Sequence, residues 1–259
     1  MPIIAAGLLA AAVAAAAAQG VQDRPKPRPQ DTEQWRPEPP VVAPGPAVSV
    51  PPPSDAVVLF DGTGVGEWIS TKDKSPARWT VADGVMTVRK GTGNIETRRS
   101  FRDYQLHLEW RIPEGITGEG QARGNSGLFL ASTGGGDAGY ELQLLDSYRN
   151  KTYVNGMAGS VYKQFAPLAN PMRPPCEWQS YDLVWTAPVF AADGALKSPA
   201  YLTAWMNGVL IHDHVALRGE TVFTGQPRYK PHGAAPIKLQ DHGDPSAPIS
   251  FRNIWVREL

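Results

Sequence analysis

The sequence predicts an all-β protein, two curved antiparallel sheets packed as a jelly-roll sandwich, and three observations carry that prediction. First, 26 glycines and 25 prolines in 259 residues break up long helices. Second, apolar and polar residues alternate with a period of two in several runs, the period of a strand with one face on a core. Third, Asp83-Gly84, Asp193-Gly194 and Asn207-Gly208 fall between such runs. These pairs tolerate positive φ at both central turn positions and so mark two-residue hairpins.

The clearest alternation is Gln105-Leu106-His107-Leu108-Glu109-Trp110-Arg111, where one face packs inward and the other meets water or ligand. Tyr181, Leu183 and Trp185 repeat the pattern, as do Tyr201, Thr203 and Trp205. No internal repeat has a propeller or solenoid period.

The chain divides into three parts. Ile3 to Ala18 is an unbroken, alanine-dominated apolar run without a basic residue before it, ending in small residues. It is shorter than the roughly 20 residues a membrane helix needs and suits a secretory signal peptide over residues 1–20. Periplasmic or extracellular residence is the expectation. Residues 21–54 are proline-rich, with 11 of the 25 prolines in 21–53, and read as a disordered linker without a packed core. Residues 55–259 are long enough for one large sandwich domain.

Charge narrows the partners. Lys and Arg number 25 against 25 Asp and Glu, so no basic excess exists to neutralise nucleic-acid phosphates, and no membrane-spanning segment is expected in the mature chain. The one cysteine, Cys176, forms no internal disulfide and no multi-cysteine zinc site. Gly-x-Ser-x-Gly, a P-loop and a paired-glycine dinucleotide fingerprint are absent, which counts against serine esterase, NTPase and nicotinamide oxidoreductase chemistry. No cofactor is required, although a calcium ion on loop oxygens would leave little trace in a sequence.

Three segments carry candidate chemistry. In Gly139-Tyr140-Glu141-Leu142-Gln143-Leu144-Leu145-Asp146, Glu141 and Gln143 share a strand face, and a one-residue bulge would bring Asp146 onto it. The segment resembles the Glu-x-Asp-x-x-Glu strand of retaining β-glucanases with the concanavalin A-like fold, with Gln in place of the middle acid and Asp in place of the last. In Gln240-Asp241-His242-Gly243-Asp244, His242 lies between carboxylates that would fix its tautomer and raise its basicity. His107 and His212 read as structural histidines, and the spacing of His212 and His214 makes no zinc signature. Gly124-Asn125-Ser126-Gly127 lets backbone approach a ligand, with the Asn125 amide able to orient sugar hydroxyls. Most of the eight tryptophans fall on core positions, with one or two left to stack on sugar rings.

Taken together, ordered motifs along the folded portion resemble the 3-keto-disaccharide hydrolase family, related in fold to concanavalin A-like lectins and glucanases. They run from Val58-Leu59-Phe60-Asp61-Gly62 and Trp68 through Gly124–Gly127, Tyr140–Asp146 and Gly159-Ser160-Val161-Tyr162-Lys163-Gln164. Glu177–Asp182, Asn207-Gly208-Val209, Leu239–Gly243 and Phe251-Arg252-Asn253-Ile254 complete them. Met206 stands where a histidine is expected in close relatives, so a pocket contact is expected to be lost there. The resemblance implies hydrolysis of glycosides whose sugar carries a C3 ketone. That carbonyl acidifies the C2 proton, so a modest base removes it, the C1 substituent leaves, and water adds to the enone. It implies Glu141 or His242 as base, Asp146 as acid or orienting partner, and Asn125, Gln143, Lys163, Asp241 and Arg252 as substrate-binding groups. Two other readings compete: a noncatalytic carbohydrate-binding sandwich, and a conventional retaining glycosidase using Glu141 and Asp146.

Overall fold

A computed structural model describes residues 26–259. The apolar run read as a signal peptide lies outside these residues. Fifteen strands appear in chain order: β1 (Val57–Phe60), β2 (Trp68–Ser70), β3 (Thr80–Ala82), β4 (Val85–Thr87), β5 (Ile95–Thr97), β6 (Tyr104–Arg111), β7 (Ser126–Ser132) and β8 (Gly139–Leu144). Then come β9 (Trp178–Thr186), β10 (Val189–Phe190), β11 (Leu196–Ser198), β12 (Tyr201–Met206), β13 (Val209–Ala216), β14 (Lys238–Leu239) and β15 (Ser250–Glu258). The large sheet has the order β13-β12-β9-β6-β15-β4-β3, with β1 also on β15. The small sheet has the order β2-β5-β14-β7-β8, and every named strand pair is antiparallel. The fold is thus the expected concanavalin A-like jelly-roll sandwich.

The sheets meet through apolar rows. Leu106, Leu108 and Trp110 of β6 and Tyr181, Leu183 and Trp185 of β9 face Leu128 and Leu130 of β7 and Tyr140, Leu142 and Leu144 of β8, all buried in one core. Two tyrosines tie the sheets together. Tyr104 donates to Leu130 O (2.6 Å) and Tyr181 to Gln143 O (2.7 Å), so the polar end of each large ring is satisfied inside the core.

Two hairpin pairs behave as their chemistry dictates. Asp83-Gly84 joins β3 to β4 and Asn207-Gly208 joins β12 to β13, with positive φ at all four residues. Asp193-Gly194 differs: β10 and β11 are joined by residues 191–195, and of that pair only Gly194 has positive φ. On β12 the inward face is Leu202, Ala204 and Met206, while Tyr201, Thr203 and Trp205 take the outer one, where Tyr201 stacks on His214. Period two fixes the alternation and leaves the choice of face to packing. Met206 is fully buried in the core and makes no pocket contact, so its identity bears on packing.

The middle of the outer face of β6 is also buried. His107 sits between Asp182 (2.7 Å) and Glu109 (3.3 Å) and stacks on Trp255, and Glu109 takes a 2.6 Å ion pair from Arg252. A one-residue bulge in β15 at Asn253, where φ is 46°, lets Asn253 Nδ2 reach Glu109 as well.

What covers this face is the proline-rich stretch, whose composition predicts a disordered linker. Residues 28–50 form a strap laid on the sandwich. Prolines carry no N–H, so much of the strap's hydrogen-bonding capacity is carbonyl oxygen, and the domain supplies the donors. Arg173 donates to Gly45 O (2.7 Å), the Asn170 backbone N–H to Pro40 O (2.9 Å), and the Asn253 and Trp255 side chains to Val50 O (2.8 and 3.2 Å). The Ser49 hydroxyl donates to Glu109 Oε1 (2.5 Å).

Candidate active site

The site grows from the face of the small sheet turned away from the core. Because Tyr140, Leu142 and Leu144 point inward, Glu141 and Gln143 point out together. Across the sheet, the pairings Glu141↔Phe129, Phe129↔Lys238 and Lys238↔Glu96 make one row, and Gly127 lies opposite Gln143. Above these residues opens a cavity of about 650 Å³. Its floor is Glu141, Gln143, Asn125, Gln240 and His242, and its walls include Gln121, Asp137, Tyr153, Tyr162, Thr221, Phe223 and Glu33 of the strap.

Glu141 is 6% exposed. Burial, helped by the nearby Asp137 charge, pushes its carboxyl up to about 8 against the opposing pull of Lys238. The Lys238 ammonium is committed elsewhere, donating to Gly136 O (2.9 Å) and Ala138 O (2.7 Å) and lying over the Phe129 ring. Gln143 braces the acid. One end of its side-chain amide lies 3.0 Å from Glu141 Oε1 and 3.1 Å from Ser126 O.

β8 is the edge strand of its sheet, and residues 159–162 run along its open side. Gln143 N donates to Ser160 O (2.9 Å), Gly159 N to Gln143 O (3.0 Å) and Tyr162 N to Glu141 O (3.1 Å). The same segment delivers Tyr162, whose hydroxyl lies 2.6 Å from that of Tyr153. Burial raises both phenols, Tyr153 to about 12, so both remain hydroxyl donors at neutral pH.

His242 enters from the loop after β14. Its Nδ1 lies 2.9 Å from Asp244 Oδ2, and Lys90 holds the turn through Asp244 Oδ2 (3.2 Å) and the carbonyls of His242 and Asp244 (3.0 Å each). Desolvation would raise the Asp244 carboxyl, but hydrogen bonds from His242 and Ser246 and the Lys90 charge outweigh it and hold it well below the carboxylate range. With Nδ1 engaged, Nε2 is the ring nitrogen without a protein partner among the described residues.

The cavity therefore gathers Glu141, Gln143, Asn125 and His242 from the sequence-predicted set, and leaves out the other four. Asp146 follows the end of β8, is fully buried and pairs with Arg123 (2.7 Å), so no bulge returns it to the Glu141 face. Asp241 accepts from Gly93 N (2.9 Å) and fastens the loop that carries His242. Arg252 belongs to the other sheet, between Glu109 and the Trp178 ring, and lines a separate cavity of about 180 Å³. Lys163 is buried and donates to Pro29 O (2.7 Å) and Phe223 O (2.9 Å), so it holds walls of the cavity and is not part of its lining. The structural readings of His107 and His212 hold: His212 Nε2 lies 2.7 Å from Gly159 O, and burial drives its pKa down to about 4.

Sequence reasoning missed Tyr153, Tyr162, Phe223 and Glu33. Tyr162 stands within a recognised motif, Gly159–Gln164, and that was its only signal; the others arrive from loops and from the strap. Among the described residues, no three His, Cys, Asp or Glu side chains are grouped to hold a metal ion.

Comparison with known proteins converges on one group. Residues 55–257 match the family described as the 3-keto-alpha-glucoside-1,2-lyase-like domain. A curated Bacteroides thetaiotaomicron protein named 3-keto-disaccharide hydrolase is 29% identical over 84 residues, which span 28% of this chain and 26% of that protein. A crystal structure of a "putative glycosyl hydrolase" from Parabacteroides distasonis is 49% identical, with a TM-score of 0.76, over 89% of this chain and 96% of the other. A second so described from the same organism, 20% identical with a TM-score of 0.55, shares the fold over 79% of this chain and 94% of its own.

Proposed function

Since the chain belongs to the 3-keto-alpha-glucoside-1,2-lyase-like domain family, we propose that it cleaves the glycosidic bond of 3-keto-glycosides by elimination followed by hydration. Family and relatives make it a carbohydrate-active protein of the glycosyl hydrolase kind. The observation that supports the finer reading is the meeting of two unlike titratable groups in one cavity: a buried carboxyl held neutral at pH 7, Glu141, and an imidazole oriented by a carboxylate, His242.

Their environments support one division of roles. His242 Nε2 takes the C2 proton, and the electron pair moves into a C2–C3 enolate. One O–H of the Tyr153–Tyr162 pair remains free after their mutual bond and donates to the C3 oxygen. The enolate then re-forms the C3 ketone and expels the C1 oxygen, which Glu141 protonates as it leaves. Water adds at C1 of the resulting enone, the reverse proton transfers restoring both residues. A retaining mechanism is less well supported, because Asp146, its second carboxyl, is paired with Arg123 outside the cavity lining. The proposal also places the protein in the periplasm or outside the cell, on the strength of the alanine-rich run alone.

The test is product release by the purified protein from a 3-keto-disaccharide and from its unoxidised parent, beside Glu141→Gln and His242→Gln. Cleavage of the keto substrate alone supports the reading. Glu141→Gln should still exchange the C2 proton with deuterated water, while His242→Gln should not. Equal cleavage of both sugars would replace this mechanism with a conventional one, and binding without turnover would leave a lectin-like module.

A further inference from the structure

The family-matched region begins at residue 55, yet the cavity has a wall that comes from before it. Glu33 stands on the strap just after a 3-10 turn, Pro29–Thr32. Its position is fixed by buried groups of the domain. Asn155, with no exposed surface, accepts from Gln34 N and donates to Thr32 O (2.9 Å each), and Val154 N donates to Gln34 O (2.6 Å). The residue between these anchors is Glu33. Its carboxylate has no hydrogen-bond or ion-pair partner among the described residues, although its charge reaches Tyr153, Tyr162 and Lys163.

Lys163 ties this wall to the segment that carries Phe223. The same ammonium that binds Pro29 O binds Phe223 O and lies 4.6 Å from the Phe223 ring centre. Phe223 is 63% exposed, a large aromatic left open at the cavity mouth. A carboxylate without a partner among the described residues and an exposed aromatic ring lining the same cavity suit a sugar, whose hydroxyls donate to the acid and whose C–H face lies on the ring.

We infer that Glu33, carried in by the strap, binds the hydroxyls of the leaving sugar while Phe223 supports its ring, so that the protein selects glycosyl over simple aryl or alkyl leaving groups. This rests on the function proposed above, which puts the keto sugar on the floor with Glu141 and His242 and its substituent at the mouth. Glu33 is then a specificity-determining residue that the matched family region does not contain.

The experiment compares the full chain with Glu33→Ala and Glu33→Gln on two substrates, a 3-keto-disaccharide and an aryl 3-keto-glucoside. Glu33→Ala should lower kcat/KM for the disaccharide about tenfold or more, the scale of a lost hydrogen bond to a charged group. The loss should lie mainly in KM and leave the aryl substrate within about twofold. Glu33→Gln, which keeps one acceptor, should fall between. Equal losses on both substrates, or none on the disaccharide, would overturn the inference. If the unaltered protein cleaves neither keto substrate, the functional reading fails and calorimetric binding of the disaccharide decides Glu33 separately. Weaker binding by Glu33→Ala at an unchanged thermal midpoint supports it, while equal binding, or none by the unaltered protein, overturns it.

Discussion

Gly127 lies directly against the Glu141 carboxyl: a Cβ at residue 127 would stand 2.6 Å from Glu141 Oε1 and 2.9 Å from the Phe129 ring. The glycine on β7 is what gives the acid on β8 its room. Its φ is outside the left-handed region, so alanine is acceptable to the backbone and acts by displacing the carboxyl and the Phe129 ring beside it. Gly127→Ala should therefore lower kcat on the order of a hundredfold, the cost of misplacing a reacting group by about an ångström. Stability should fall by only about 1–3 kcal/mol, as for other overpacked sites. Steady-state kinetics beside thermal unfolding separate the two.

Glu141 also links stability to pH. Its folded pKa of about 8 lies above the ordinary 4.5, so between these values the native state holds a proton that the unfolded chain has released. Stability from this group is highest below about 4.5 and declines as pH rises toward 8. Glu141→Gln, which needs no proton, should gain on the unaltered protein as pH is raised from 5 to 9, by about 4 kcal/mol. Urea unfolding at the two pH values measures it.

His107 moves stability in the same direction by the opposite chemistry. Burial opposes its charge, but hydrogen bonds to Asp182 and Glu109 prevail and bring it to about 9. Its contribution is complete below the ordinary 6.5 and is lost as pH rises through 9. His107→Gln should cost about 3 kcal/mol at pH 6, the scale of a broken buried ion pair. The cost should shrink by pH 10, as chemical denaturation at both pH values would show.

Asn155 is the anchor of the strap. Asn155→Ala removes two hydrogen bonds to it, worth about 1 kcal/mol each. Amide exchange or limited proteolysis over residues 28–40 should accelerate by tenfold or more, with the sandwich core unaffected.

Much of the framework was legible because it depends on local chemistry. Asp83-Gly84 and Asn207-Gly208 turn the chain wherever they occur, and Glu141 with Gln143 share a face by strand geometry alone. Asp146, Asp241, Arg252 and Lys163 lie outside the cavity lining for one shared reason. Each is a polar residue engaged by a partner distant in sequence, Arg123, Gly93, Glu109 and Pro29, and pairing of that kind leaves no periodic mark. The strap was illegible for a related reason. Proline-rich composition reports what a segment cannot form by itself, whereas its docking depends on donors such as Asn155 and Arg173 waiting far along the chain.

The run of residues 159–162 along β8 has a further consequence, for association between molecules. An edge strand with free amides and carbonyls invites a second polypeptide to add to it, and β8 is both an edge and the bearer of Glu141. The chain's own segment occupies those groups first, through Gly159, Ser160 and Tyr162. One stretch of backbone thus delivers a tyrosine to the cavity and covers the strand edge that could otherwise template aggregates.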